Sequence, residues 1–223
     1  MNHPELTEPE RTCIVWAEKQ LEVSCTITRE VDGHQNAVFK LQTAQENFFL
    51  KIGPHLENEL ERLHWLEGKL PVPKVIGRLE VEGKQAVLLS AIEGKSLAVL
   101  VEEWSAEKVI EKFAQALHRF HDVDITACPF GVYDSKKVLV HGDATLPHFI
   151  FQGDESSGYV DLGEVQMGNP EMDLSAAVWS LQYNLGPGHG LNFLREYGVK
   201  DPSEDYVEWL RMRYDDLEQE WKF

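Results

Sequence analysis

A chain of 223 residues with 43% hydrophobic content can bury a sizeable core, either as one large domain or as two lobes packed across a cleft. Its formal charge of −17, from 38 acidic and 21 basic side chains, argues against nucleic-acid binding, which needs clustered Lys and Arg, and favours cationic partners. No apolar run approaches the roughly 20 residues that cross a bilayer, the segment Met1 to Glu10 is polar and acidic, and Cys13, Cys25 and Cys128 show no CxxC spacing, so the expectation is an unexported, cytoplasmic protein with reduced thiols.

In chain order, Ala37–Gln42 and Asn47–Ile52 are rich in β-formers around a short polar turn and predict an antiparallel hairpin, with Lys51 on its second strand. Leu56, Leu60, Leu63 and Leu66 recur at helical spacing, predicting a helix over Leu56–Lys69 that Pro71 and Pro73 stop. Val75–Val81 and Gln85–Ala91 predict a second hairpin about Glu82-Gly83-Lys84. Ser105 caps a helix carrying Val109, Phe113, Leu117 and Phe120 on one face and ending near Asp122. Short strands follow at Val138–His141, Phe149–Phe151 and Gly158–Asp161, and everything beyond Pro170 predicts helix, over 171–184, 189–197 and 203–221. The shift from strand to helix predicts an α+β fold of two lobes, residues 1–91 and 92–223.

The densest chemistry lies between His141 and Asp161. His141-Gly-Asp143 follows one strand, His148 precedes the next, and Asp161-Leu-Gly163 ends the third. Two carboxylates and an imidazole on adjacent strand ends suit phosphoryl transfer, which asks the protein for positioning and charge neutralisation rather than covalent chemistry. Lys51 supplies a candidate phosphate-facing cation.

Val140-His-Gly-Asp-Ala-Thr-Leu-Pro-His148 and Gly158-Tyr-Val-Asp-Leu-Gly163 resemble the H-G-D-x-x-x-x-N and I-D-x-G motifs of the aminoglycoside phosphotransferases and their protein-kinase-like relatives. Trp65-Leu-Glu-Gly-Lys-Leu-Pro-Val-Pro-Lys-Val75 and Leu117-His-Arg-Phe-His121 are similar to two flanking segments of that family. The resemblance implies a protein-kinase-like fold and transfer of the γ-phosphate of ATP or GTP to a hydroxyl of an aminoglycoside or similar small compound. It implies that Lys51 holds the nucleotide phosphates with Glu59 as its helix partner, and that the loop Asp32–Asn36, with Gly33, covers them. Ser90, Ala91 and Ile92 bind the base through their backbone, Asp143 is the catalytic aspartate, and Asp161 ligates magnesium, or manganese. Asp173 matches an acid that supports the catalytic loop; a helix N-terminal acid favoured by the macrodipole predicts the same residue type.

Two departures qualify this expectation. The family's metal-binding Asn is His148 here, and imidazole suits manganese, cobalt, nickel or zinc better than magnesium. The segment Asp122–Val140 is shorter than the family's, and Tyr183 and Asn184 stand where related drug kinases often carry acids, while Asp215, Asp216, Glu218 and Glu220 offer acids from the tail. Two rival readings follow. One is a metal hydrolase using His118, His121, His141, Asp143 and His148; the other is a kinase-like nucleotide-binding protein with weak or no transfer.

Overall fold

The computed structural model describes residues 6–30 and 36–221, with side chains as far as residue 214. The chain divides into two compact units, one formed by Met1–Glu67 with Val72–Ile92, the other by Gly68–Pro71 with Glu93–Phe223.

The first unit opens with α1 (Glu8–Leu21), which sequence reasoning missed although its start is encoded in Thr7-Glu-Pro-Glu10. The Thr7 hydroxyl accepts from the Glu10 N–H, the Glu10 carboxylate accepts from the Thr7 N–H, and Pro9 sits in the first turn. The following elements are β1 (Thr26–Arg29), β2 (Ala37–Gln42), β3 (Asn47–Gly53), α2 (Glu57–Leu66), β4 (Val75–Val81) and β5 (Lys84–Ser90). The strands form one antiparallel sheet in the order β1-β2-β3-β5-β4. Both predicted hairpins are present. Helix α2 ends at Leu66 rather than Lys69, because Glu67 leaves the helical region and Gly68 takes a left-handed φ of 77°.

Alternation along β2 and β3 buries Phe39, Leu41, Leu50 and Ile52 with Ala86 and Leu88 of β5 against Cys13, Ile14 and Ala17 of α1. Residues between them in the strands face the other side of the sheet. Lys51 is one of these, paired across the ladder with Val38 and Val87.

In the second unit, β6 (Lys95–Ser96), α3 (Leu97–Leu100), α4 (Ala106–His121) and β7 (Val138–Val140) precede a 3-10 turn, Leu146–His148. Then come β8 (Phe149–Gln152), β9 (Glu155–Tyr159), β10 (Gln166–Gly168), α5 (Glu171–Leu185), α6 (Gly190–Tyr197) and α7 (Glu204–Trp221). Strands β6, β8 and β9 form one sheet, and β7 pairs antiparallel with β10. The third predicted strand ends at Tyr159, two residues before Asp161, and begins earlier than expected because Gly153 and Asp154 turn β8 directly into β9.

Aromatic contacts fix these strands to the helices. Phe113 of α4 meets Phe149 edge-on at 4.8 Å between ring centroids and Phe193 of α6 at 5.3 Å, while Phe120 meets Tyr159 at 5.1 Å. The Tyr159 hydroxyl donates to the Ala116 carbonyl at 3.0 Å, so its buried polar atom is satisfied. The N-terminal end of β8, where His148 stands, is therefore anchored by packing on both sides.

Candidate active site

Lys51 Nζ donates to both carboxylate oxygens of Glu59, at 2.7 and 2.9 Å, with only 14% and 11% of the two side chains exposed. Strand alternation aims Lys51 away from the α1 face, and Glu59, in the first turn of α2, meets it there. A largely buried pair of this kind fixes the ammonium in one position. At the end of β5 the Ser90 N–H donates to the Lys74 carbonyl and the Ala91 N–H to the Asn47 carbonyl. Ile92 follows as the first residue beyond those bonds. Gly33, with most of the Asp32–Asn36 loop, lies outside the described residues.

In the second unit the segment His141–His148 is held by one carboxylate. Asp173, fully buried in the first turn of α5, accepts from the His141 N–H at 2.6 Å, the Gly142 N–H at 2.9 Å and His121 Nε2 at 2.9 Å. Asp173 lies in the first turn of α5, as either reading of it requires, and its carboxylate accepts from the backbone of the loop. His121 Nδ1 accepts in turn from the Tyr197 hydroxyl at 2.6 Å. Burial, then the Asp173 charge, pushes Tyr197 up to about 12 and keeps it a donor.

The His141 ring is buried, donates through Nε2 to the Val160 carbonyl at 3.1 Å and accepts at Nδ1 from the Asp143 N–H at 3.3 Å. Burial, reinforced by neighbouring His148, lowers its pKa, against the opposing pull of Asp173, Asp143 and Asp161; a neutral ring is what both hydrogen bonds require. Gly142 has a φ of 87°, and a Cβ there would lie 2.6 Å from the Glu164 Cβ and 2.8 Å from the Glu164 carbonyl oxygen. Gly142→Ala is expected to cost about 2 kcal/mol through left-handed strain and a clash with backbone. Urea denaturation checks this, and a wild-type midpoint would show that the loop can relax.

Asp143 and Asp161 converge on His148, with their ligand-capable atoms within 4.8 Å of one another. His148 Nδ1 lies 3.6 Å from Asp143 Oδ2, and Nε2 lies 3.5 Å from Asp161 Oδ2. Asp143 Oδ1 is buried without a hydrogen-bond partner among the described residues, a cost that an incoming hydroxyl or cation removes. Asp161 sits at a φ of 60°, a conformation Asp tolerates better than most residues, with 54% of its side chain exposed. The Val160 N–H donates to the His148 carbonyl at 3.0 Å, which ties the segment carrying Asp161 to the one carrying His148. The donor set, imidazole nitrogen and carboxylate oxygen, fits a divalent cation.

The histidine set of a hydrolase does not assemble. His118 pairs at 2.9 Å with Asp122 on the exposed face of α4, His121 is committed to Asp173 and Tyr197, and among the described residues only Asp143, His148 and Asp161 gather as a metal-ligating group. Tyr183, 77% exposed and stacked on Trp179 at 5.3 Å, ends α5 together with Asn184, which donates to the Ser180 carbonyl at 2.7 Å. The side chains of Asp215, Asp216, Glu218 and Glu220 lie outside the described residues. Thr145 and Tyr197 were missed as supports of the site. Thr145 carried a signal, three residues before His148, whereas nothing local marks Tyr197.

A family model described as the phosphotransferase enzyme family matches residues 26–136 and 132–213. The aminoglycoside 3'-phosphotransferase of Staphylococcus aureus is 34% identical, over 79% of this chain and 86% of its own length. That of Niallia circulans is 27% identical, over 72% of this chain and 80% of its own. Among solved structures, aminoglycoside phosphotransferase APH(3'')-Id of Streptomyces rimosus in complex with ADP and streptomycin superposes with a TM-score of 0.70 at 18% identity, covering 89% of this chain and 95% of that one. The fold is the kinase-like α+β fold of these enzymes, and the chain belongs to the phosphotransferase enzyme family.

Proposed function

We propose that the chain transfers the γ-phosphate of ATP to a hydroxyl of an aminoglycoside. The observation that carries this reading is the convergence of Asp143 and Asp161 on His148, on a loop held by a buried carboxylate. The aminoglycoside 3'-phosphotransferase relatives and the ADP–streptomycin complex of the Streptomyces rimosus enzyme support the choice of co-substrate and acceptor.

In this reading residues 1–91 form the nucleotide-binding lobe and 92–223 the catalytic and substrate lobe. Lys51, held by Glu59, engages the nucleotide phosphates. The loop with Gly33 lies over them, and Ser90, Ala91 and Ile92 meet the base through their backbone. Asp143 orients the acceptor hydroxyl and takes its proton as the oxygen bonds to the γ-phosphorus and the bond to the ADP oxygen breaks. Asp161 and His148 would hold a divalent cation, magnesium or manganese, which would neutralise phosphate charge. The net charge of −17 suits a polycationic acceptor, and the free thiols Cys13, Cys25 and Cys128 suit a cytoplasmic setting. Among the described residues no helix is long and apolar enough to cross a membrane.

The test is phosphate transfer from ATP and GTP to a panel of aminoglycosides. Transfer is expected, and Lys51→Ala should raise the ATP KM at least tenfold. Nucleotide binding with no transfer to any acceptor selects the non-catalytic reading instead.

A further inference from the structure

The two ring edges of His148 are in different situations. Nδ1 lies 2.9 Å from the carbonyl oxygen of Asp143 and 3.1 Å from the Thr145 hydroxyl. A carbonyl only accepts, so Nδ1 carries the proton in the neutral ring, and the lone pair falls on Nε2. Nε2 faces Asp161 Oδ2 at 3.5 Å, too far for a good hydrogen bond. Two ligands each about 2.1 Å from one ion, at angles of roughly 90–110°, stand about 3.0–3.5 Å apart. The spacing has room for two ligands sharing one cation, and the backbone bond at Nδ1 is the kind of orienting contact that metal-bound histidines use.

We propose that His148 is a direct metal ligand through Nε2, and that with Asp161 it makes the cation site selective for a first-row transition metal, Mn2+, over Mg2+. This inference rests on the phosphotransferase reading of the site. Manganese accepts both imidazole and the oxygens of carboxylate and phosphate, whereas magnesium holds to oxygen. The same geometry separates two roles: the Nδ1 edge faces Asp143, at 3.6 Å, leaving that carboxylate for the acceptor, and the Nε2 edge faces the cation. The Thr145 hydroxyl and the Asp143 carbonyl act as positioning groups for the ring. The stacked His141 ring, parallel to His148 within 3° at 5.7 Å, covers one of its faces.

The experiment is electron paramagnetic resonance of Mn2+ bound to the protein with AMP-PNP, with Mg2+ as competitor, in the wild type and in His148→Asn. Nitrogen hyperfine coupling from an imidazole is expected in the wild type and not in the variant. The Mn2+/Mg2+ preference should fall at least tenfold in the variant, a ratio that cancels the nucleotide's own taste for either ion. His148→Gln gives the same comparison should the Asn variant fold poorly by circular dichroism. Bound AMP-PNP and Mn2+ with no nitrogen coupling, or with an unchanged preference, would overturn the inference and leave the phosphotransferase reading standing. Failure of AMP-PNP to bind with either cation would sink both.

Discussion

Asp143→Ala is expected to lower kcat for phosphate transfer by about 10²- to 10⁴-fold, the range for removing a positioned general base, with the ATP KM within about twofold of wild type. The split follows from what Asp143 touches. Among the described residues its Oδ1 is buried with no hydrogen-bond partner and its Oδ2 stands 3.6 Å from His148 Nδ1, so no hydrogen bond among them that holds the loop passes through the carboxylate. The clamp from Asp173 reaches the backbone of His141 and Gly142, and substitution at Asp143 leaves it in place. Nucleotide contacts assigned to Lys51 and its Glu59 partner lie in the first compact unit and are equally untouched. Steady-state kinetics on the best aminoglycoside acceptor measures the split, with Asp143→Asn as an isosteric companion that keeps the volume and removes the proton acceptor. Wild-type turnover in both variants would remove Asp143 from the chemistry, and a rise in ATP KM with unchanged kcat would reassign it to nucleotide handling.

Features set by neighbours in sequence were legible, and features set by distant pairings were not. The β2–β3 and β4–β5 hairpins follow from alternation and short turns, whereas the Lys51–Glu59 pair, eight residues apart, was implied by the family resemblance. Helix α4 was readable from end to end because Ser105 accepts from the Lys108 N–H while Val109, Phe113, Leu117 and Phe120 fill one face. By contrast β6 and β10 have two and three residues, too few for any period to register, and exist only because β8 and β7 supply partners. The missed α1 is different in kind: its capping box was readable, but the helix is amphipathic only against a sheet assembled from residues 37–52 and 84–90. At the site, the motif gave Asp143, His148 and Asp161 their candidacy, whereas the tautomer of His148 depends on a fold-specific meeting of Nδ1 with the Asp143 carbonyl. His121 reaches Asp173 across 52 residues and Tyr197 across 76, separations at which sequence carries no spacing signal.

That distant network supplies the second large effect. Asp173→Ala is expected to destabilise the protein by on the order of 4 kcal/mol and to lower kcat further than it raises the ATP KM. Three donors, the N–H groups of His141 and Gly142 and His121 Nε2, would lose their shared acceptor inside a fully buried site where water cannot replace it. If the macrodipole were the whole reason for an acid at this position, the loss would be only about 0.3–1 kcal/mol and screened by salt. Asp173→Asn sharpens the comparison. Its amide keeps one accepting oxygen but turns an NH2 toward a backbone donor, so it should remain well below wild type in both stability and kcat, while a pure dipole role predicts near-complete rescue. Urea denaturation at two salt concentrations, with kinetics on the same samples, decides between them. Salt-independent loss in both variants identifies Asp173 as the clamp that holds Gly142 in its left-handed turn and sets the direction in which Asp143 points.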